Sequence, residues 1–307
     1  MTQGKQSDAD RRTIVVVGAT SDVGRVVAAK LSAAGHDVRG VARSLGVALN
    51  NQAALNRAMS AADSAYLMIP FDMSVPDLHE YERQIVGNLI AALKESRIRR
   101  VVLLSGLNAH LKMGTSLGAA EMEDRLDALG LPEVTRLRAG FFNENLMKGM
   151  AFPAQAATGT FATPFRGDLP MPMIAARDIG ARAADLLGAS TWTGRPVIEL
   201  HGGGYYTFED VTSILGAALR RDVTYRTVPL DEARAGMIVG GMSASFADAL
   251  IETAASFNRE ERWALESPSP QNTTSTSFER WARERVSLPQ RGHRAVTHDG
   301  AAAAPAD

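Results

Sequence analysis

A doubly wound α/β fold, with a parallel sheet covered by helices on both faces and a smaller, mostly helical C-terminal lobe, is predicted by three observations. Continuously apolar, β-branched runs recur along the chain through residue 200, as strands buried on both faces of a parallel sheet require. Stretches with helical spacing separate those runs. A glycine-rich turn joins the first run to the first helical stretch.

The first strand is Thr13-Ile14-Val15-Val16-Val17, and the turn Gly18-Ala19-Thr20-Ser21-Asp22-Val23-Gly24 follows at once. Val23, Val26, Val27 and Leu31 then fall on one helical face, and Gly35 is placed to end that helix. His36 to Ala42 reads as the second strand. The pattern repeats at Ser64-Ala65-Tyr66-Leu67-Met68-Ile69 and at Val101-Val102-Leu103-Leu104, preceded by helical stretches that include Leu55 to Ser60 and Tyr81 to Glu95. Further strands are expected at Val134 to Leu137 and at Pro196 to Leu200, the second after a helix from Asp178 to Leu187. Residues 13–140 and 174–200 thus form the expected sheet domain, and 141–173 with 201–288 the smaller lobe. In that lobe Gly159 to Pro172 lacks periodicity and is expected to line it, while Phe208 to Leu219, Asp231 to Asn258 and Phe278 to Arg285 read as helices. Residues 1–12 and 289–307 are expected to be disordered.

Composition narrows the function classes. With 45% hydrophobic and 22% charged residues the chain is an ordinary globular mixture. A net charge of -1 with scattered Lys and Arg provides no footprint for nucleic acid. The lack of cysteine excludes disulfides, thiolate metal sites and thiol nucleophiles, and suits the cytoplasm. Met1 to Arg12 is polar and carries no apolar signal core, and no later run has the length of a membrane span, so no membrane association is expected. The six histidines show no paired spacing, and no metal is expected.

Strand, Gly-x5-Gly turn and helix in immediate succession satisfy the context of a dinucleotide fingerprint, and so predict a Rossmann domain. Gly18 permits the sharp exit from the strand, Gly24 lets the helix pack close to the sheet, and the N–H groups at the helix start face a pyrophosphate. Ser21 stands where a mid-turn glycine is usual, with a hydroxyl able to donate there. Arg43 occupies the end of the second strand, where NAD-selective sites carry an acid. A guanidinium there favours a 2′-phosphate, hence NADP over NAD; the other reading is a solvated arginine.

With these residues in view the chain resembles the NmrA-like group of atypical short-chain dehydrogenase/reductases, including its quinone-reductase-like members. The resemblance spans about residues 13–285 and is carried by Gly18-Ala19-Thr20 with Gly24, Val41-Ala42-Arg43, Leu104-Ser105-Gly106, Leu137 through Leu146, and Ala176-Arg177-Asp178-Ile179-Gly180. It implies NAD(P) bound across the sheet and a substrate cleft against the smaller lobe. It further implies Thr20, Asp22 and Val23 beside the pyrophosphate and Arg43 at the adenosine phosphate. Ile69, Pro70 and Phe71 would lie near the nicotinamide ribose, Ser105 and Gly106 after the central strand, and Phe142, Asn143 and Asn145 toward nicotinamide and substrate. Three departures stand out: Ser21 in the turn, Ala48 where the family has an acid near the adenine, and Ala119 and Ala120 where many relatives carry histidine or lysine.

The Tyr-x-x-x-Lys pair of conventional short-chain dehydrogenases is missing, since none of Tyr66, Tyr81, Tyr205, Tyr206 and Tyr225 has a lysine four residues later. Hydride transfer needs only the cofactor held against an acceptor, and a conjugated acceptor can take its proton from water. Tyr66, Ser105 and Asn143 are therefore candidates to orient an acceptor. Their structural readings are a strand residue, a strand-end cap and a backbone-binding amide. Met171, Met173, Phe161 and Phe165 line an apolar cleft or pack a core. Glu121 and Glu123 read as a solvated helix face, and Gly202-Gly203-Gly204 as a flexible turn. The expected function is an NADPH-dependent reduction of a hydrophobic, conjugated or quinone-like carbonyl small molecule, with NAD as second cofactor candidate, by a monomer or homodimer. The alternatives are a non-catalytic NAD(P) redox sensor and an isomerase built on the same scaffold.

Overall fold

Strand β1 (Thr13–Val17) runs into the glycine turn and helix α1 (Gly24–Ala33), and β2 (Asp37–Val41) returns parallel beside it. A 3-10 turn, Arg43–Leu45, and α2 (Gln52–Met59) lead to β3 (Ser64–Leu67), followed by α3 (Leu78–Lys94), β4 (Arg100–Gly106), α4 (Leu117–Leu129) and β5 (Glu133–Ala139). The chain then leaves the sheet through β6 (Phe141–Phe142), α5 (Glu144–Met147), α6 (Phe152–Ala156), β7 (Thr160–Thr163) and β8 (Met171–Ile174). Helix α7 (Ala176–Gly188) and β9 (Val197–Leu200) bring it back. The remainder is β10 (Gly204–Tyr206), α8 (Phe208–Leu219), β11 (Thr224–Thr227), α9 (Leu230–Val239), α10 (Ala244–Asn258) and α11 (Phe278–Ser287). This computed structural model describes residues 11–190 and 194–287; the expected disorder of residues 1–10 and 289–307 lies outside the described residues.

Six parallel strands form the main sheet in the order β2-β1-β3-β4-β5-β9, with helices on both faces, as the apolar runs predict. Alternate side chains feed two cores. Val15, Val17, Leu67, Val101 and Leu103 pack with Leu55, Leu89 and Leu126 of the α2, α3 and α4 layer. Ile14, Val16, Tyr66, Val102 and Leu137 pack with Val27, Ile179 and Ala183 of α1 and α7. The order reverses between β1 and β3, and in open α/β sheets the crevice at such a reversal, beyond the carboxyl ends of the strands, is where ligands bind. β2 is the edge strand: residues 42–63 pass straight to β3 through the 3-10 turn and α2, without the outer strand of the 3-2-1-4-5-6 dinucleotide order.

The smaller lobe holds a third core around Phe152, Phe161, Phe165, Phe208 and Phe257, clamped by two short sheets, β10-β8-β6 and β11-β7. Strands of two to four residues are too short to show a period, so Gly159 to Pro172 reads as irregular although it contains β7 and the first half of β8. The helix expected over Asp231 to Asn258 is two helices, broken at Gly240-Gly241, where Gly241 has φ +94°. The Gly202-Gly203-Gly204 segment is tightly packed rather than flexible. A Cβ on Gly202 would lie 1.9 Å from the Met173 oxygen, and one on Gly203 2.1 Å from that of Thr276. Arg12, within the stretch expected to be disordered, donates to the carbonyls of Gly188 (2.7 Å) and Ala189 (3.0 Å) at the end of α7. Among the described residues no helix is long and apolar enough to cross a membrane.

Candidate functional site

The turn after β1 is built by backbone contact. Gly18 adopts φ +70°, and a Cβ on it would meet the Met68 sulfur at 2.7 Å. A Cβ on Gly24 would lie 2.1 Å from the Gly18 oxygen, so only glycine lets α1 begin this close to the strand. The Ser21 amide donates to the Gly18 oxygen, and Ser21 Oγ accepts from the Gly24 amide at 3.0 Å. The serine thus caps the turn, and its hydroxyl proton is left to donate outward. Among the described residues the N–H groups of Thr20, Asp22 and Val23 make no hydrogen bond. They stand at the positive end of a ten-residue helix, which is an anion cradle in both geometry and field. The residues present fit a pyrophosphate, and Thr20, Asp22 and Val23 are the positions that the resemblance puts beside it. The Asp22 carboxylate, which would oppose an anion, is neutralised by Arg25 (2.8 Å) and by Lys148 (2.5 Å) just beyond α5. Lys148 gave no signal in sequence, because 126 residues separate it from its partner.

Loops from the two neighbouring strands flank this turn. Arg43 opens the 3-10 turn after β2 with its side chain 84% exposed, and its nearest ionic neighbour is Asp72 Oδ2 at 3.8 Å. Ile69 is buried, Pro70 half-buried and Phe71 exposed after β3, with the Phe71 ring edge-on to Phe246 at 5.8 Å. Ala48 is half-buried.

At the far side of the crevice the expectations divide. The Ser105 hydroxyl donates to Glu123 Oε1 at 2.7 Å, and Glu123 takes a forked contact from Arg138, Nε at 3.0 Å and Nη2 at 2.6 Å. Glu123 is buried, so its expected solvated role is corrected: α4 turns it inward to pair with an arginine of β5 and fix Ser105. Glu121 stays half-exposed beside Arg125. Arg138 lies opposite Glu199 of β9 in register. Glu199, also buried, accepts from the amides of Leu265 and Glu266, so the charge row is closed from the lobe side. Tyr66 is fully buried against the α1 and α7 layer, and burial pushes its phenol far above the usual range, so it is a core strand residue that keeps its proton. Phe161 and Phe165 are core residues too, Phe161 edge-on to Phe152 and Tyr225 and Phe165 stacked on Phe208. Met171 and Met173 join them.

Asn143 follows β6 with its amide donating to the Ile174 oxygen at 2.9 Å. Its side chain is completely buried, and neither Oδ1 nor Nδ2 has a hydrogen-bond partner among the described residues. A buried amide with both ends unpaired is costly, about 1–3 kcal/mol for each lost bond. Phe142 beside it is half-buried, and Asn145 is exposed. The next residue, Glu144, holds this corner: it accepts from the Ala176 amide at the start of α7 (2.9 Å) and from Trp281 Nε1 on α11 (3.0 Å). Burial raises the Glu144 carboxyl above its ordinary value, against those two donors. A carboxyl with a raised folded pKa contributes stability that is full below the unfolded value, about 4.3, and lost as pH rises through the folded one. The melting temperature of the native protein relative to Glu144→Gln is therefore expected to be highest near about pH 4 and to decline toward neutrality. Thermal melts across pH check this, and a constant gap would refute it.

A model of the NmrA-like family matches residues 45–281. An NAD(P)H azoreductase of Xenophilus azovorans is 27% identical over 257 residues, covering 78% of this chain and 85% of that protein. Among solved structures, an NADPH-dependent quinone oxidoreductase of Escherichia coli, complexed with NADPH, superposes with TM-score 0.68 at 22% identity, covering 89% of this chain and 98% of the other. The negative transcriptional regulator NmrA in complex with NAD gives TM-score 0.60 at 19% identity, covering 90% and 95%. The family match begins beyond both the turn and Arg43.

Proposed function

The chain belongs to the NmrA-like family, and from that premise we propose that it is an NADPH-dependent reductase of a hydrophobic, conjugated or quinone-like carbonyl small molecule. The observation that carries this is the cradle of three unpaired amides at the start of α1, with the exposed Arg43 beyond the next strand. Thr20, Asp22 and Val23 bind the pyrophosphate through backbone N–H groups, Ser21 adds its hydroxyl, and Arg43 takes the 2′-phosphate in a forked contact. Bound NADPH supplies the hydride and its two electrons. The 27% identical azoreductase and the quinone oxidoreductase of the same fold support an electron-poor conjugated acceptor.

Within the crevice Asn143 orients. Its unpaired amide is the group that would orient nicotinamide and acceptor once the crevice opens to it, and Phe142 would shield the ring from water. Ser105 fixes the end of β4 through Glu123, and the acceptor draws its proton from water. Two observations favour a second reading, a redox sensor: the Tyr66 phenol is buried and the Ser105 proton is committed to Glu123.

A panel of quinones, enones and azo dyes with purified protein, followed by loss of reduced-nicotinamide absorbance, separates the two. Turnover is expected, and Asn143→Ala is expected to lower kcat/KM by about 10- to 100-fold, equivalent to about 1.4–2.7 kcal/mol. Nucleotide binding without turnover across the panel would sink the reductase reading and leave the sensor.

A further inference from the structure

We propose that Asp72 sets how sharply this protein distinguishes a phosphorylated from an unphosphorylated adenosine ribose, by holding a fixed negative charge against the guanidinium that the 2′-phosphate needs. The inference rests on the nucleotide reading above. β2 and β3 lie on either side of β1 in the sheet, so the loops that follow them close on the turn from opposite flanks. Arg43 comes from the first loop and Asp72 from the second. Their atoms Nη1 and Oδ2 are 3.8 Å apart, too far for a hydrogen bond but close enough for charge to act.

The carboxylate is held in place. Asp72 Oδ1 accepts from the Ser74 hydroxyl (2.6 Å) and the Ser74 amide (3.1 Å), which leaves Oδ2 toward Arg43. The Ser74 bonds, and after them the Arg43 charge, hold the Asp72 carboxyl below its ordinary range, so it stays ionised. Tyr81 of α3 stands in the field of both groups. The Arg43 guanidinium makes no hydrogen bond among the described residues, and its five N–H donors are available to a ligand.

Two nucleotides meet this pair differently. The dianionic 2′-phosphate of NADPH is drawn by Arg43 and repelled by Asp72, so part of the guanidinium's attraction is cancelled. The ribose hydroxyl of NADH meets an oxygen able to accept a hydrogen bond from it and no repulsion. The pair therefore admits both nucleotides with a damped preference for NADPH.

Fluorescence titration of the full-length protein and of Asp72→Asn with NADPH and with NADH, at low and high salt, tests this. The asparagine keeps an oxygen for Ser74 while removing the charge. NADPH binding is expected to tighten by about three- to tenfold, NADH binding to stay or weaken by up to about threefold, and the NADPH gain to shrink in high salt. An unchanged NADPH-to-NADH ratio in a variant that melts like the native protein overturns the role of Asp72 and leaves the nucleotide site standing. Binding of neither nucleotide by the native protein overturns the nucleotide reading itself. Should Asp72→Asn melt early, Asp72→Ser removes the same charge and is judged by the same ratio.

Discussion

Gly24→Ala is expected to weaken NADPH binding by at least about 100-fold and to lower the melting temperature by roughly 5–10 °C. The added Cβ would lie 2.1 Å from the Gly18 oxygen and 2.7 Å from its carbonyl carbon. Both are backbone atoms, so no rotamer relieves the clash, and α1 must move off the strand. Overpacking of this kind destabilises by about 1–3 kcal/mol. The larger effect falls on binding, because the same movement carries the Asp22 and Val23 amides out of line with the Thr20 amide. Titration and a thermal melt on the same sample decide it, and native affinity in the alanine variant would mean that the cradle is not the phosphate site.

Glu123→Ala is the second large effect, expected on stability rather than binding. The side chains of Glu123 and Arg138 are only 8% and 11% exposed, so removing one partner strands the other charge. Breaking such a pair costs about 3–5 kcal/mol, and a melting temperature lower by roughly 6–15 °C is expected. Replacing both at once, Glu123→Leu with Arg138→Met, is expected to recover most of the loss, since a well-packed apolar pair needs no compensation. Two single variants as stable as the native protein would show that the network carries no strain of burial.

The parallel sheet was legible because burial on both faces forces a continuous apolar run, and Thr13 to Val17, Ser64 to Leu67 and Val101 to Leu104 are such runs. The turn was legible because its glycines are dictated by backbone contacts three to six residues apart. Glu123 was misread because a glutamate on a helix is usually solvated. The missed signal lay on β5, where Arg136 and Arg138 alternate with Thr135 and Leu137 in an interior strand and so demand a buried acid. Asp72, Lys148 and Trp281 act through partners on distant segments, and no local pattern marks such contacts. The break between α9 and α10 falls at the glycine pair Gly240-Gly241, and apolar residues on both sides of it keep a helical spacing.

The bond between Trp281 and Glu144 joins residues 137 positions apart. The glycines of the turn after β1 are fixed by contacts within residues 18–68, whereas the Asn143 corner is tied to α11, far along the chain. Closing a loop costs more entropy the more chain it encloses, so the corner that carries Asn143 depends on contacts of much greater sequence separation than the turn does, and loosening α11 is expected to disturb that corner while leaving the turn intact.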